Sequence, residues 1–378
     1  MPNLSCRALF DIPDDVAYFN TAYNAPLLRA SRDALVCAAG AKLRPWERAP
    51  ADFFADAETL RGVSAALFGT AAENFAIVPA ASYGISTAAR ILEPRLQAGD
   101  HILVAAQEFP SNIFPWQRIA AERGAAIRTA GRPADGDWTR AVLAALDPSV
   151  RIAALSACHW TDGATFDLVA IGAACRANGT VLVLDVTQSL GAAPLDLAAV
   201  RPDFMVAAGY KWLLCPYGFS LLYVDPRWHG ERPLEESWLA RSNAQDFTRL
   251  ADYRAEYRAG ARRYDVGETC VTTVLPGAIA ALRQIEQWGI AGIEARLGAI
   301  TDRIAAAVAP LGYEILAPHF RSRHILGLSV AGDPQDLIGL LRARNIHVSQ
   351  RGDAIRIAPH LHVTDSDVDR LIEALAGD

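Results

Sequence analysis

Short apolar runs that alternate with alanine-rich helical stretches are the feature of this 378-residue chain that most limits its fold. Strands that alternate with amphipathic helices are typical of βαβ units, in which helices cover both faces of a mostly parallel sheet. The sequence therefore predicts an α/β fold. The predicted strands are residues 76–79, 101–105, 152–156, 181–186, 204–207 and 219–224, and the predicted helices are 85–92, 112–123, 138–146, 168–178 and 195–200.

The pattern changes after residue 277. A long alanine-rich helical stretch is predicted from about residue 278 to 309, with a break at Trp288-Gly289. The elements that follow this stretch, in the order strand, helix, strand, strand, helix, indicate a small α+β domain. Thr364 is the predicted N-cap of its last helix. We therefore expect a large domain over residues 31–270 and a small one over 271–378. The small-domain elements are predicted at 325–330, 334–345, 346–349, 354–358 and 365–376.

Composition and charge exclude several classes of protein. The chain is 52% hydrophobic and 21% charged, which is typical of a globular protein. A formal net charge of −6 and the lack of a basic stripe argue against nucleic-acid binding. No apolar run reaches the roughly 20 residues that span a bilayer, and residues 1–15 do not resemble a signal peptide. We expect a cytoplasmic protein with no nucleic-acid or membrane partner.

The spacing of cysteines and histidines argues against a metal site. The six cysteines are scattered without CxxC pairs, which favours a reduced cytosolic protein over a disulfide framework or a zinc site. His324, His360 and His362 have no acidic or thiolate residue adjacent to them. We therefore expect no bound metal.

Lys211 is one of only two lysines in the chain, and 34 of the 36 basic residues are arginine. Arginine cannot lose its proton in a protein, whereas lysine can do so and can then form an imine. Lys211 follows the apolar run at 203–206 and lies in a glycine-containing turn at 207–213. A rare lysine at the end of a strand indicates a nucleophile that forms a Schiff base.

Asp185 ends the preceding predicted strand. A carboxylate at the end of a buried strand costs free energy unless a cation lies near it. One βαβ step separates Asp185 from Lys211, so both belong at strand ends of one sheet. This pair suits pyridoxal 5′-phosphate (PLP): the aspartate keeps the ring nitrogen protonated and the lysine holds the aldehyde as an imine. Gln188 is predicted to hydrogen-bond the ring hydroxyl.

The segments 185–191 (DVTQSLG) and 209–213 (GYKWL) resemble those of class V aminotransferases, members of the fold-type I group of PLP-dependent enzymes. That group also contains cysteine desulfurases, kynureninases and isopenicillin N epimerase-like enzymes. The resemblance covers nearly the whole chain in the same order. It implies a large domain with a mostly parallel, seven-stranded type of sheet, a small α+β C-terminal domain, and an N-terminal segment (residues 1–30) that joins the small domain to the active site.

The resemblance also implies how the cofactor is bound. Ser82 and Tyr83 follow a strand and open a helix, where relatives bind the PLP phosphate. Tyr210 is placed like the phosphate-binding Tyr or His of relatives. Phe109 lies where relatives stack an aromatic ring on the cofactor, and a phenyl ring cannot carry protons. Trp160 stands where many relatives have an Asn, so we expect it to form a wall of the pocket.

The substrate residues follow from the same resemblance. Arg356 matches the family arginine that binds the substrate α-carboxylate, for which a guanidinium fork is well suited. The segment 18–27 resembles the N-terminal segment that lines the substrate pocket. From it we predict Asn20 and Tyr23 as pocket walls, together with Arg351.

The segment 260–269 resembles one that reaches the phosphate of the partner subunit in family dimers. Glu268 stands where a Thr is common, so Thr269 or Thr272 is predicted to replace that contact. We therefore expect a homodimer in which residues near 267–273 approach the partner's cofactor.

Three kinds of reaction occur on this scaffold: transamination, lyase or desulfurase cleavage, and racemisation. Desulfurases of this group carry a persulfide-forming cysteine in the small domain, whereas this chain has no cysteine after Cys270. We predict an aminotransferase, in which Lys211 moves the substrate proton and an amino acid reacts with a 2-oxo acid. The alternatives are a kynureninase-like or C–S lyase, an isopenicillin N epimerase-like epimerase, and a catalytically silent PLP-fold binding protein. The presence of Asp185, Gln188 and Lys211 argues against the last of these.

Overall fold

The computed structural model describes residues 6–269, 271–329 and 333–377. The described residues contain the strands β1 Ala17–Tyr18, β2 Phe75–Val78, β3 His101–Ala105, β4 Ala126–Ala130, β5 Val150–Ser156, β6 Val181–Asp185, β7 Phe204–Ala208, β8 Ser220–Val224, β9 Leu326–Ser329, β10 Ile346–His347, β11 Ser349–Arg351 and β12 Ala354–Ile357. They also contain the helices α1 Arg29–Ala41, α2 Asp52–Phe68, α3 Ala81–Leu92, α4 Phe114–Arg123, α5 Trp138–Ala145, α6 Leu168–Asn178, α7 Leu197–Val200, α8 Leu275–Trp288, α9 Ile290–Val308, α10 Pro334–Ala343 and α11 Asp365–Ala376.

In the described part of the chain, seven strands form one large sheet in the order β2-β8-β7-β6-β5-β3-β4. β8 is antiparallel to both of its neighbours, and the other pairs are parallel. The central strands β6 and β7 are buried almost throughout, because helices cover both faces. The predicted α/β fold with a mostly parallel sheet is confirmed, and all six predicted strands are present within one or two residues of their predicted bounds.

Three elements of the large sheet and its helices were not predicted. β4 is an edge strand in which only Ala130 is buried and the other four residues are exposed or half-buried, so its apolar signal is weak. α1 buries only Ser31 among its residues. The buried stripe of α2 includes the polar residues Arg61 and Ser64, which interrupt the apolar periodicity that sequence analysis depends on.

The C-terminal part contains a three-stranded antiparallel sheet in the order β11-β12-β9. The long helical stretch is broken at Gly289, which has a φ of 71° and separates α8 from α9, as predicted. Thr364 caps α11 as predicted: its hydroxyl accepts from the Asp367 N–H at 3.1 Å, and its own N–H donates to the Asp367 carboxylate at 2.9 Å. Within the predicted strand 325–330 the structure has β9 over Leu326–Ser329, and Val330 lies outside the described residues.

The two ends of the chain meet. β1 pairs in parallel with β10, through Ala17 with Ile346 and Tyr18 with His347. The Thr21 N–H donates to the Ala358 carbonyl at 3.0 Å, and Arg7 forms an ion pair with Asp367 at 2.7 Å. The N-terminal segment is therefore fixed to the C-terminal part by backbone and side-chain bonds. The domain boundaries themselves remain predictions.

None of the described helices combines the length and the apolar character needed to cross a membrane.

Candidate active site

The carboxyl ends of the parallel strands create one pocket at the edge of the large sheet. β5 ends at Ser156 and β6 at Asp185, which are direct neighbours across the sheet. β7 ends at Ala208, immediately before the Gly209-Tyr210-Lys211 turn. The pocket has a volume of about 190 Å³. Its lining comprises Pro79, Ala80, Ala81, Ser82, Phe109, Ser111, Ser156, Trp160, Asp185, Thr187, Gln188, Ala208, Tyr210, Lys211 and Tyr217.

Lys211 lies in this pocket with only 7% of its surface exposed. Burial lowers the pKa of Lys211 to about 8, an effect that the Asp185 charge opposes and the Arg356 and Arg351 charges reinforce. Its Nζ atom is 5.5 Å from the centre of the Phe109 ring. A lysine with a lowered pKa is partly in its neutral form near neutral pH, as imine formation requires.

Asp185 is held at the floor of the pocket. One of its carboxylate oxygens accepts a hydrogen bond from the Thr187 N–H at 2.9 Å, and the Thr187 hydroxyl in turn accepts from the Ala208 N–H at 3.0 Å. Burial raises the pKa of Asp185, while the bonds from Thr187 and the charge of Lys211 oppose that rise. The carboxylate is therefore oriented and short of positive charge, which is the environment that a protonated ring nitrogen would complete.

Gln188 lines the same pocket and is fixed from three sides. Its side-chain amide donates to the Ala22 carbonyl at 3.1 Å and accepts from the Trp212 indole N–H at 3.0 Å. Its backbone carbonyl accepts from His324 Nε2 at 2.6 Å. The amide nitrogen has a second hydrogen, which can serve the ring hydroxyl as predicted.

The N-terminus of α3 forms one side of the pocket. Ala80, Ala81 and Ser82 line it, and the N–H groups of Ala81 and Ser82 have no acceptor within the helix. Gly84 lets the helix approach the sheet: a Cβ added there would lie 2.7 Å from Val206 Cγ2. Tyr83 was predicted to bind the cofactor, yet its N–H donates to the Ala80 carbonyl and its side chain is not part of the pocket lining.

Phe109 and Trp160 form one wall. Their rings meet edge to face, with centroids 5.5 Å apart. The Trp160 indole donates to the Gln107 carbonyl at 2.8 Å, which fixes its orientation. His159, next to it, is buried and bonded through both ring nitrogens, to the Ala106 carbonyl and the Thr161 hydroxyl. Its role is therefore structural.

Arg356 and Arg351 lie beside Trp160, outside the residues that line the pocket itself. Arg356 is 1% exposed and donates through Nη1 to the Trp160 carbonyl at 2.6 Å. Its Nε and Nη2 have no partner among the described residues. Arg351 is half-buried and lies 5.9 Å from the ring centres of both Tyr23 and Trp160.

The remaining predicted residues lie outside the pocket lining. Asn20 pairs with Ala358, and Tyr23 is 57% exposed and lies beside Arg351. Thr269 is buried and its hydroxyl donates to the Val266 carbonyl. Thr272 lines a separate cleft together with Glu268. Neither threonine approaches this chain's own pocket, so their predicted contact with a partner's cofactor stays a prediction.

Sequence analysis did not single out Tyr217, which lines the pocket, or Glu108, which lies next to the lining residue Ser156. Tyr217 stacks on Tyr210 with ring centroids 3.9 Å apart, and the only sequence signal was its place in the turn before β8. Glu108 is fully buried near the pocket and accepts from the Ser156 hydroxyl at 2.7 Å. The rule that found Asp185 could have found Glu108, because it too follows the end of a buried strand.

A family model, Aminotransferase class-V, matches residues 24–368. The chain belongs to the class V aminotransferase family. Class V aminotransferases use PLP, so the cofactor predicted from Lys211 and Asp185 is confirmed. The oriented carboxylate, the buried amine and the free helix N-terminus described above all fit that cofactor.

Several known proteins are similar to this class V family member. Isopenicillin N epimerase of Amycolatopsis lactamdurans is 26% identical over 336 residues, which cover 84% of this chain and 83% of that protein. A probable cysteine desulfurase of Vibrio cholerae is 27% identical over 277 residues, or 70% of this chain and 63% of that protein. The structure of the cystine C–S lyase C-DES with its reaction product cysteine persulfide has a TM-score of 0.85 at 22% identity, covering 96% and 98% of the two chains. This last likeness confirms the fold-type I architecture.

Proposed function

We propose that this class V family member is an aminotransferase in which Lys211 both holds PLP and moves the substrate proton. One observation carries the proposal: among the described residues that line the pocket, Lys211 is the only side chain with an amine, and none is a histidine. Phe109 contacts the pocket where a histidine would supply a second acid or base. Proton movement at the substrate Cα therefore falls to Lys211.

The other residues position the reactants. Bound PLP supplies an aldehyde and an electron-accepting ring. Asp185 would keep the ring nitrogen protonated, and Gln188 would donate to the ring hydroxyl. The N–H groups of Ala81 and Ser82 would bind the phosphate. Arg356, with two nitrogens free among the described residues, would bind the substrate α-carboxylate as a fork.

An epimerase is the second candidate. It is supported by the relative named isopenicillin N epimerase, which matches 84% of this chain. Tyr210 supplies a hydroxyl in the pocket, and burial together with Tyr217 raises its pKa, so it stays protonated and can donate. A desulfurase that uses a protein persulfide is less well supported, because none of the five described cysteines lines the pocket. Cys270 lies outside the described residues. A C–S lyase that needs no protein cysteine remains an alternative.

We also propose a cytoplasmic homodimer. The segment near residues 267–273, which resembles one that reaches the partner's phosphate in family dimers, supports the dimer, because none of its described residues lines the pocket of its own chain. Size-exclusion chromatography with light scattering would report twice the monomer mass of 40.7 kDa. A monomeric holoenzyme would contradict the proposal.

The role of Lys211 is tested by trapping the imine. Borohydride reduction of the purified holoenzyme, followed by peptide mass spectrometry, should place the pyridoxyl group on Lys211. Because the chain has only one other lysine, Lys42, Lys42→Ala is a matched control that should keep the imine absorbance. Lys211→Arg keeps the positive charge and should lose the absorbance.

The reaction type is tested separately. A screen of common amino acids should find one that converts the cofactor to its amine form, and a 2-oxo acid should restore the aldehyde form. Epimerisation would instead show exchange of the Cα proton with deuterated solvent while the cofactor spectrum returns to its starting form without a 2-oxo acid. That result would replace the aminotransferase proposal with the second candidate.

A further inference from the structure

Two arginines lie on one face of the three-stranded sheet β11-β12-β9. Arg356 lies opposite Ser349 in the β11–β12 pair, and Arg351 is two residues beyond Ser349 on the same strand. Residues two apart on a strand lie on the same face, so the two arginines are diagonal neighbours, with Cα atoms about 7–8 Å apart. Both lie next to Trp160, a wall of the pocket.

Their charges are not balanced by carboxylates. No ion pair connects Arg351 or Arg356 to a described Asp or Glu, although most other arginines near them are paired, as Arg132 is with Asp162. Two uncompensated guanidinium groups side by side repel each other. Burial, and then the charge of Arg351, lowers the pKa of Arg356. Anions bound there would offset this repulsion.

The positive charge extends to the catalytic lysine. Arg356 and Arg351 both act on Lys211 through their charges. The phosphate of the cofactor cannot balance them, because the residues proposed to hold it, at the N-terminus of α3, line a different part of the pocket. One substrate carboxylate would balance Arg356. A second carboxylate would balance Arg351.

We propose, resting on the proposed function, that the substrate is an amino acid with a second carboxylate on its side chain, and that Arg351 binds that carboxylate while Arg356 binds the α-carboxylate. The Arg351 guanidinium lies 5.9 Å from the ring centres of both Tyr23 and Trp160. Its Nη1 donates to the Gln350 carbonyl at 2.6 Å, so Nε and Nη2 are the nitrogens that would bind the carboxylate.

Unreactive carboxylates test the binding site without turnover. Glutarate and butyrate are titrated into the holoenzyme by calorimetry. We expect glutarate to bind about tenfold to a hundredfold more tightly than butyrate, which is the effect of one charge-assisted pair. Arg351→Gln should remove this preference, and Arg351→Lys should retain part of it. The matched control Arg283→Gln removes an exposed charge on α8 and should leave the preference unchanged.

Substrates then separate this inference from the proposed function. L-aspartate and L-glutamate should change the cofactor spectrum at concentrations at least about tenfold lower than L-asparagine and L-glutamine do. Equal responses to acidic and neutral amino acids, unchanged in Arg351→Gln, would overturn the inference while leaving the aminotransferase in place. A dicarboxylate preference without any amino acid that converts the cofactor would support the Arg351 site and refute the proposed function.

Discussion

The close approach of α3 to the large sheet predicts how the substitution Gly84→Ala changes the stability of the protein. In Gly84→Ala, the new Cβ would lie 2.7 Å from Val206 Cγ2 and 3.4 Å from its Cβ. Carbon atoms prefer separations of about 3.5–4.0 Å, so helix and strand must move apart by roughly 1 Å. Valine has a stiff χ1 and cannot turn away at low cost. Overpacking of this kind costs about 1–3 kcal/mol.

Two other contributions to stability determine whether each substitution stabilises or destabilises the protein. Alanine in a helix is favoured over glycine by about 0.5–1 kcal/mol, so the net cost of Gly84→Ala is about 0–2.5 kcal/mol. Val206→Ala removes the clashing methyl and costs about 2 kcal/mol for the two lost methyl groups. In the Val206→Ala background, only the preference of a helix for alanine over glycine remains. Gly84→Ala should therefore stabilise Val206→Ala by about 0.5–1 kcal/mol.

The four proteins of this double-mutant cycle are compared by urea denaturation of the apoprotein, followed by circular dichroism. The same displacement moves the N–H groups of Ala81 and Ser82 away from Lys211. PLP affinity, titrated by absorbance, should accordingly fall in Gly84→Ala and recover in the double variant. Additive effects on the denaturation midpoint, with the same sign in both backgrounds, would refute the packing argument.

Three further predictions concern the pKa of Glu108, the pKa of Lys211 and the N-cap residue Thr364. Burial raises the pKa of Glu108 to about 7, above its value in the unfolded chain, so the folded state holds a proton that the unfolded state releases. Stability should fall as pH rises from about 4.5 to 7, by up to about 3 kcal/mol, and Glu108→Gln should flatten this slope in denaturation series. Because the pKa of Lys211 is lowered to about 8, stopped-flow capture of PLP by the apoprotein should accelerate with pH and level off above about 8; a rise that continues to pH 10 would contradict this. Thr364→Ala should cost about 1 kcal/mol and Thr364→Ser almost nothing, measured by the same denaturation.

The sequence predicted the parts of the fold whose signals are local. Residues 181–184 form an uninterrupted apolar run that is followed by an acid, so both β6 and Asp185 could be inferred. α2 could not, because its buried stripe contains Arg61, whose charge is paired with the buried Asp265 far along the chain. A polar residue with a distant partner looks exposed until the partner is known.

The site was predictable to a similar extent. Lys211 and Asp185 were predicted because the chemistry of each side chain agrees with its position at the end of a strand. Arg351 was predicted only as a wall, since its relation to Arg356 depends on the β11–β12 register. Tyr217 was missed because a tyrosine in a turn carries no signal until the turn is seen to fold back over Tyr210.

The meeting of the two chain ends affects how the protein is made. During synthesis, a nascent chain of 270 residues already has the lysine, the aspartate and the helix that line the pocket. It lacks β10 and Ala358, to which residues 17–21 are bonded, so Ala22 is not yet held against Gln188. That side of the pocket can close only after residue 358 has left the ribosome. A chain that stops before β10 should therefore hold PLP more loosely than one that contains it.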